Sequence, residues 1–121
     1  TGSKKSGSFF ILGQEIFKTS DKIYLCEGYA TAASIYKDME QPVFVAFDAY
    51  NLLPVAEKLF NVPILKERKF VFIADNDEKS KTGEKEAKKA CKFIIKNKGR
   101  AEVLMPETQG ITAIASVGYA H

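Results

Sequence analysis

The fold of this chain is decided by the stretch Phe70-Val71-Phe72-Ile73-Ala74-Asp75-Asn76-Asp77, an unbroken apolar run that leads into two carboxylates. Apolar side chains on both faces are typical of a strand that helices cover on both sides. If the extended backbone continues past Ala74, Asp75 and Asp77 point to the same side, because strand side chains alternate. We therefore predict a central strand that ends in an acidic turn.

Other apolar runs with strand character surround this stretch, and segments with helical spacing separate them. This alternation predicts right-handed crossovers and an α/β fold with three layers, in which helices flank a mainly parallel central sheet of about four strands. A shorter run at Phe9–Leu12 is expected at the margin of the sheet. The other core strands are predicted at residues 23–26, 43–47 and 101–105.

Three residues are expected to shape the ends of the helices. Gly28 should permit a tight turn before the first helix, because glycine adopts backbone conformations that other residues avoid. Asn51 can cap the second helix with its side chain. Gly99 is expected as the C-cap of the third helix, after the apolar positions of residues 87–94.

Length and composition predict a single soluble domain. The chain has 121 residues, of which 45% are hydrophobic, and this is enough for one sizeable core. No apolar run approaches roughly 18 residues, so we expect a cytoplasmic protein without a membrane partner. Both cysteines are expected as small buried residues. We divide the chain into a flexible N-terminal segment that resembles an expression remnant (1–8), a catalytic domain (9–106) and a C-terminal tail (107–121).

A third carboxylate, Glu27, follows the predicted strand at residues 23–26. The carboxyl ends of parallel strands meet at one crevice, so Glu27, Asp75 and Asp77 are expected to converge there. Their hard oxygen ligands suit Mg²⁺ or Mn²⁺. Each acid also has a simpler interpretation: one Asp forms an Asx turn, the other caps a helix, and Glu27 is favoured by a helix dipole.

Basic residues are concentrated just beyond the acidic turn. Their charge would attract a nucleic-acid backbone, although a solvated helix face has the same appearance. The stripe comprises Lys79, Lys81, Lys85, Lys88, Lys89, Lys92, Lys96, Lys98 and Arg100.

Three segments together resemble the Toprim domain, and most closely that of primases from conjugative plasmids and phages. They are Cys26–Ala32, Val45–Leu52 and Ala74–Asp77. The resemblance implies a magnesium-dependent nucleotidyltransferase of DNA replication that makes RNA primers. By position, Glu27 matches the family glutamate, and Asp75 and Asp77 match the metal-binding pair.

The resemblance also implies partners for the chain. These are a single-stranded DNA template, nucleoside triphosphates and, in a longer protein, a helicase or a zinc-binding domain. Lys79, Lys81 and Lys85 are expected to contact phosphate or to steer the template. Primases of this type commonly carry another acidic segment after the last core strand, but residues 108–121 contain no acid. The isolated chain can therefore bind metal without making primers.

Other functions remain open at this point. A Toprim nuclease would use the same metal centre to activate water. A noncatalytic nucleic-acid-binding module and a receiver-like module with Asp48 as phosphoacceptor are further alternatives. The only histidine is His121, so a Ser-His-Asp triad lacks its parts. The tyrosines at positions 24, 29, 36, 50 and 119 are expected to be packing residues rather than nucleophiles.

Overall fold

Strands and helices alternate along the residues that the computed structural model describes, which are 7–13, 20–74, 81–104 and 116–118. A 3-10 helix at Ala49–Asn51 precedes the second α-helix. The strands are β1 (Phe10–Leu12), β2 (Lys22–Cys26), β3 (Val43–Val45), β4 (Lys69–Ile73), β5 (Arg100–Leu104) and β6 (Ser116–Gly118). The α-helices are α1 (Tyr29–Met39), α2 (Leu52–Phe60), α3 (Pro63–Lys66) and α4 (Lys81–Lys96).

The described strands form one six-stranded sheet in the order β1-β3-β2-β4-β5-β6. The inner pairs β3–β2, β2–β4 and β4–β5 are parallel, which confirms the predicted mainly parallel sheet. The edge strands β1 and β6 pair antiparallel with their neighbours. The sheet is thus larger than the expected four strands. Its sixth strand lies in the segment that the sequence analysis assigned to the tail.

The sheet is covered on both faces, as the apolar pattern of β4 predicted. Phe70 and Phe72 belong to the core cluster under α2 and α4, whereas Val71 and Ile73 belong to the cluster under α1. All four side chains are buried. Full burial of a side chain of this size stabilises the fold by about 1.5–3 kcal/mol. Since β4 buries two such side chains on each face, it stabilises both cores. The three-layer arrangement is therefore confirmed.

The predicted helical faces also lie in the core. Ala32 and Ile35 of α1 are buried, and so are the predicted α2 positions Leu52, Val55 and Leu59. Cys26 and Cys91 are buried free thiols, as expected. α3 was not anticipated; Pro63 starts this short helix rather than only ending the preceding one.

The end of α4 differs from the expectation. Lys98, and not Gly99, takes the left-handed conformation, with φ at 71°. The Gly99 N–H donates to the Ile94 carbonyl at 2.8 Å, which closes the helix end. A Cβ at Gly99 would lie 2.6 Å from Phe60 Cε1 and 2.6 Å from Ile94 Cγ2. Gly99 thus takes part in the helix cap through its N–H, but close packing and not a left-handed backbone requires glycine at this position.

Two neighbouring substitutions test this assignment. Gly99→Ala is expected to lower the free energy of unfolding by about 1–3 kcal/mol, because the added methyl group overpacks the contact with Phe60. Lys98→Gly should raise it by up to about 1 kcal/mol, because glycine relieves the left-handed strain. Urea denaturation measures both changes. A Gly99→Ala variant as stable as the wild-type protein would contradict the assignment.

Candidate functional site

Glu27 is the first residue after β2 and is partly buried. Its carbonyl accepts the Phe47 N–H at 2.7 Å, and the Cys26 carbonyl accepts the Ala46 N–H at 2.9 Å. These bonds continue the pairing of β2 with β3 beyond the last residues of both strands. The backbone of Glu27 is thereby fixed at the carboxyl edge of the sheet.

The acidic turn follows the neighbouring strand at the same level. Cys26 pairs with Ile73 across the parallel strands β2 and β4, and Glu27 and Ala74 are each one residue beyond that pair. The Ala74 N–H donates to the Leu104 carbonyl at 3.0 Å, so Ala74 is still part of the sheet. The structure thus places Glu27 level with Ala74, the residue that immediately precedes Asp75 in the sequence.

The rest of the predicted metal set lies outside the described residues. This holds for Asp75, Asp77 and Lys79. Within the described ranges, no three His, Cys, Asp or Glu side chains come together in a way that could hold a metal ion. The predicted set needs both aspartates, so the convergence of the three acids stays a prediction.

The entry into α1 is more open than the sequence indicated. The turn is tight, as expected, because only Glu27 and Gly28 separate β2 from α1. Gly28 has φ −110° and ψ 153°, an extended conformation that any residue can adopt, so the expected need for glycine in this turn is wrong. A Cβ at Gly28 would find no atom of the described chain within 4 Å. The first turn of α1 has no acidic residue, and Gly28 makes no side-chain cap. The N-terminus of α1, which is the positive end of its helix dipole, therefore lies next to Glu27 without a side-chain cap or an acidic residue in its first turn.

Asn51 joins distant parts of the chain. It occupies the predicted N-cap position of α2, but its side chain makes no cap bond to the helix, so the expected side-chain cap is wrong. Its Oδ1 accepts the Gly7 N–H at 2.7 Å. Its Nδ2 donates to the Ser8 carbonyl at 2.7 Å and to the Ala46 carbonyl at 3.1 Å. Asn51 thus ties the N-terminal segment to the end of β3, next to the Glu27 turn.

Asp48 caps the short 3-10 helix that follows β3. Its Oδ1 accepts the Tyr50 N–H at 2.9 Å. An aspartate at this position satisfies a backbone donor that has no partner within the helix. This local capping role accounts for an aspartate at position 48 without phosphorylation of its side chain.

Two of the three predicted basic contacts, Lys81 and Lys85, belong to α4. Lys81 is the first residue of this helix, and Lys85 is exposed. Further along, two lysines form ion pairs within the helix, Lys88 with Glu84 at 2.9 Å and Lys89 with Glu86 at 3.2 Å. The solvent-accessible Lys88–Glu84 pair contributes little stability, whereas Glu86 of the other pair is buried. Both glutamates place negative charge beside the stripe.

Exposed aromatic residues at the carboxyl edge were missed by the sequence analysis. The most exposed large apolar side chains of the described chain are Phe10 (46%), Tyr29 (53%), Phe47 (51%), Tyr50 (67%) and Ile64 (44%). Phe10 pairs with Val45 at the end of β3, and the other three aromatic residues follow β2 or β3. Only Ile64, in α3 before β4, lies toward the opposite edge.

The tyrosines divide into two groups. Tyr24 is buried and Tyr36 packs against the α1-side core, as expected. Burial raises the pKa of the Tyr24 hydroxyl, and the negative charges of Glu102 and Asp21 add to this effect. The packing role expected for Tyr29 and Tyr50 is wrong, because both are largely exposed. Tyr119 lies outside the described residues. The available sequence signal was position, since both exposed tyrosines come shortly after predicted strand ends.

Comparison with known proteins agrees with this geometry. A model of the Toprim domain matches residues 22–114. The structure is similar to a crystal structure of a DNA primase domain from Pseudomonas aeruginosa, with a TM-score of 0.58 and 19% sequence identity. The similarity covers 81% of this chain and 30% of that chain, so this chain spans less than a third of the primase chain. No curated protein sequence matches. Of the helices in the described part of the chain, none is long and apolar enough to cross a membrane.

Asn51 offers a test of how the Glu27 edge is supported. Asn51→Ala removes three hydrogen bonds and should lower the free energy of unfolding by about 2–3 kcal/mol, because buried backbone groups lose their partners. The matched control is Asn61→Ala. Asn61 is exposed and its side chain donates to the Glu57 carbonyl at 3.0 Å, so a loss of less than about 0.5 kcal/mol is expected. Equal losses in chemical denaturation would contradict the role of Asn51.

Proposed function

The chain belongs to the Toprim family, and we propose that it is the magnesium-dependent catalytic domain of a DNA primase. In this proposal it joins nucleotides into an RNA primer on a single-stranded DNA template. One observation carries the proposal. Glu27 and Ala74 stand at the same level on neighbouring parallel strands, and the acidic pair Asp75 and Asp77 follows Ala74 in the sequence.

The three carboxylates fit a divalent cation. Glu27, Asp75 and Asp77 offer only hard oxygen ligands, which Mg²⁺ and Mn²⁺ prefer. Several acids near one point repel each other unless a cation lies between them. When bound, the metal supplies positive charge that stabilises the reacting phosphate as the primer 3′ hydroxyl attacks it. Glu27 holds the metal or accepts the proton of that hydroxyl.

The N-terminus of α1 supports phosphate binding at the same edge. Backbone N–H groups and the helix dipole favour an anion there. Gly28 adds no side chain, and the first turn of α1 contains no acidic residue that would compete with the anion. In our proposal this end of α1 binds phosphate of the incoming nucleoside triphosphate beside Glu27.

The lysines after the acidic pair complete the proposed site. Lys79, Lys81 and Lys85 neutralise phosphate or steer the template, because long-range attraction raises the rate at which a nucleic acid arrives. In a longer protein, a helicase or a zinc-binding domain would be a further partner. We further propose that this reaction takes place in the cytoplasm. Origin in a plasmid or phage primase stays a prediction.

A metal-dependent nuclease is the alternative that uses the same acids. The metal would then activate water against a phosphodiester, and no nucleoside triphosphate would be needed. The two functions therefore differ in their requirement for triphosphates. They do not differ in the carboxylates that they need.

Primer synthesis on single-stranded DNA tests the proposal. The full chain is incubated with Mg²⁺, labelled nucleoside triphosphates and template, and products are separated by size. Glu27→Gln and the double variant Asp75→Asn/Asp77→Asn should reduce incorporation by about 100-fold or more, because each removes carboxylate charge that would hold the metal or accept the proton.

The matched control is Glu67→Gln, an exposed glutamate before β4 at the opposite edge. This variant should retain wild-type incorporation. Incorporation that survives all the acid substitutions would contradict the proposal. Cleavage of the DNA without triphosphates, lost in the same variants, would instead establish the nuclease.

A further inference from the structure

We propose that Phe10, Tyr29, Phe47 and Tyr50 form an aromatic platform on which bases of single-stranded DNA stack beside Glu27. This inference deepens the proposed function and rests on it, since it assigns a binding surface for the template. The sequence analysis assigned template contacts only to lysines. The platform adds contacts of a different chemical kind, namely with the faces of the bases.

The exposure of the platform is the first argument. Single exposed apolar residues are ordinary on a protein surface, whereas a group of them in one place marks a binding surface. Here four of the five most exposed large apolar side chains of the described residues lie at the carboxyl edge. Phe10 and Tyr29 already contact each other, with ring centroids 6.0 Å apart and planes tilted by 54°. Exposed rings at the proposed catalytic edge therefore call for a ligand with aromatic faces.

The backbone of Phe47 is the second argument. Its φ is 69°, in the left-handed region that bulky residues rarely adopt. Its side chain is 51% exposed, so burial in the core does not explain why phenylalanine occupies this position. Strained residues persist where the surrounding structure holds them, and they cluster at functional sites. The hydrogen bond from the Phe47 N–H to the Glu27 carbonyl, at 2.7 Å, holds this conformation.

The platform is fixed relative to the proposed chemistry. Tyr29 is the first residue of α1, two residues after Glu27. The backbone N–H of Phe47 donates a hydrogen bond to the Glu27 carbonyl. Tyr50 is held by the Asp48 cap of the 3-10 helix, at 2.9 Å. A base that stacks on Tyr29 or Phe47 is thus positioned by backbone that also fixes the Glu27 turn.

Positive charge lies on a helix that packs against one element of the platform. The helix α4 packs against the 3-10 helix that carries Tyr50, and Lys85 of α4 is exposed. Aromatic rings next to a basic groove are the usual combination for binding a single strand without sequence preference. The rings would stack with bases while the lysines attract the phosphates.

The composition of the platform favours a nucleic acid over a protein partner. Its exposed apolar residues are all aromatic, and two of them carry hydroxyl groups. The exposed aliphatic residue Ile64 lies in α3, toward the other edge. Aromatic residues are also common at protein interfaces, so the argument for a single strand is the combination of rings, which base stacking requires, with a position beside Glu27 at the proposed catalytic edge.

Fluorescence anisotropy with a labelled oligothymidylate tests the platform, using the full chain without Mg²⁺. Phe47→Leu and Tyr50→Leu should each weaken binding about fivefold or more, because each removes a stacking face and keeps an apolar side chain. Phe47→Tyr and Tyr50→Phe should bind like the wild-type protein, because they keep the ring. Ile64→Ala is the matched control and should not change the affinity.

Salt dependence separates stacking from charge. The Leu variants should keep the wild-type slope of log K against log salt. Lys85→Ala should reduce the magnitude of that slope by about 1, the value for the loss of one phosphate contact. Unfolding midpoints check that each variant is folded. Tyr50 is 67% exposed, so Tyr50→Leu provides a folded variant even if Phe47→Leu does not.

Wild-type affinity in the folded Leu variants would overturn the platform. Equal weakening of binding to duplex DNA, in which the base faces are covered, would also overturn it. These results would leave the primase proposal intact if Glu27→Gln still abolished incorporation. Conversely, a loss of single-strand binding in the Leu variants, in a chain without metal-dependent synthesis, would support the platform and contradict the primase.

Discussion

The parallel pairing of β2 with β4 is the constraint on which the rest of the structure depends. Its register places Cys26 opposite Ile73, and therefore Glu27 level with Ala74. A slip of one residue would exchange the side chains of the two faces, and would move the residue bonded to Asp75 away from Glu27. The same register separates the two cores, with Phe70 and Phe72 on one face and Val71 and Ile73 on the other.

The sequence was sufficient where the physical cause is local. Apolar periodicity identifies the core positions of β4, α1 and α2, because the spacing of apolar residues indicates whether one face or both faces of an element are buried. It was insufficient where the cause is a distant partner. Asn51 bonds to Gly7 and Ser8, more than forty residues away, and Gly99 is constrained by the ring of Phe60. The edge strand β6 is too short for its pattern to predict it.

The candidate site shows the same division. Glu27 could be singled out because it follows an apolar run, and strand ends meet at one edge in a parallel sheet. The aromatic platform was missed, because tyrosines commonly pack in the core and their position after strand ends does not reveal the exposure that the structure shows for Tyr29 and Tyr50. The hydrogen bond between Phe47 and Glu27 connects the two features. The turn that positions the proposed catalytic carboxylate also holds a strained aromatic residue at the surface.

The central claim is that Glu27, Asp75 and Asp77 together bind divalent metal, and a manganese titration followed by NMR tests it most directly. Bound Mn²⁺ broadens the signals of nuclei near it. The account predicts saturable broadening centred on these three residues in the wild-type protein, and its loss in Asp75→Ala/Asp77→Ala. Broadening that is absent, that is not localised, or that persists unchanged in the double variant would contradict the account.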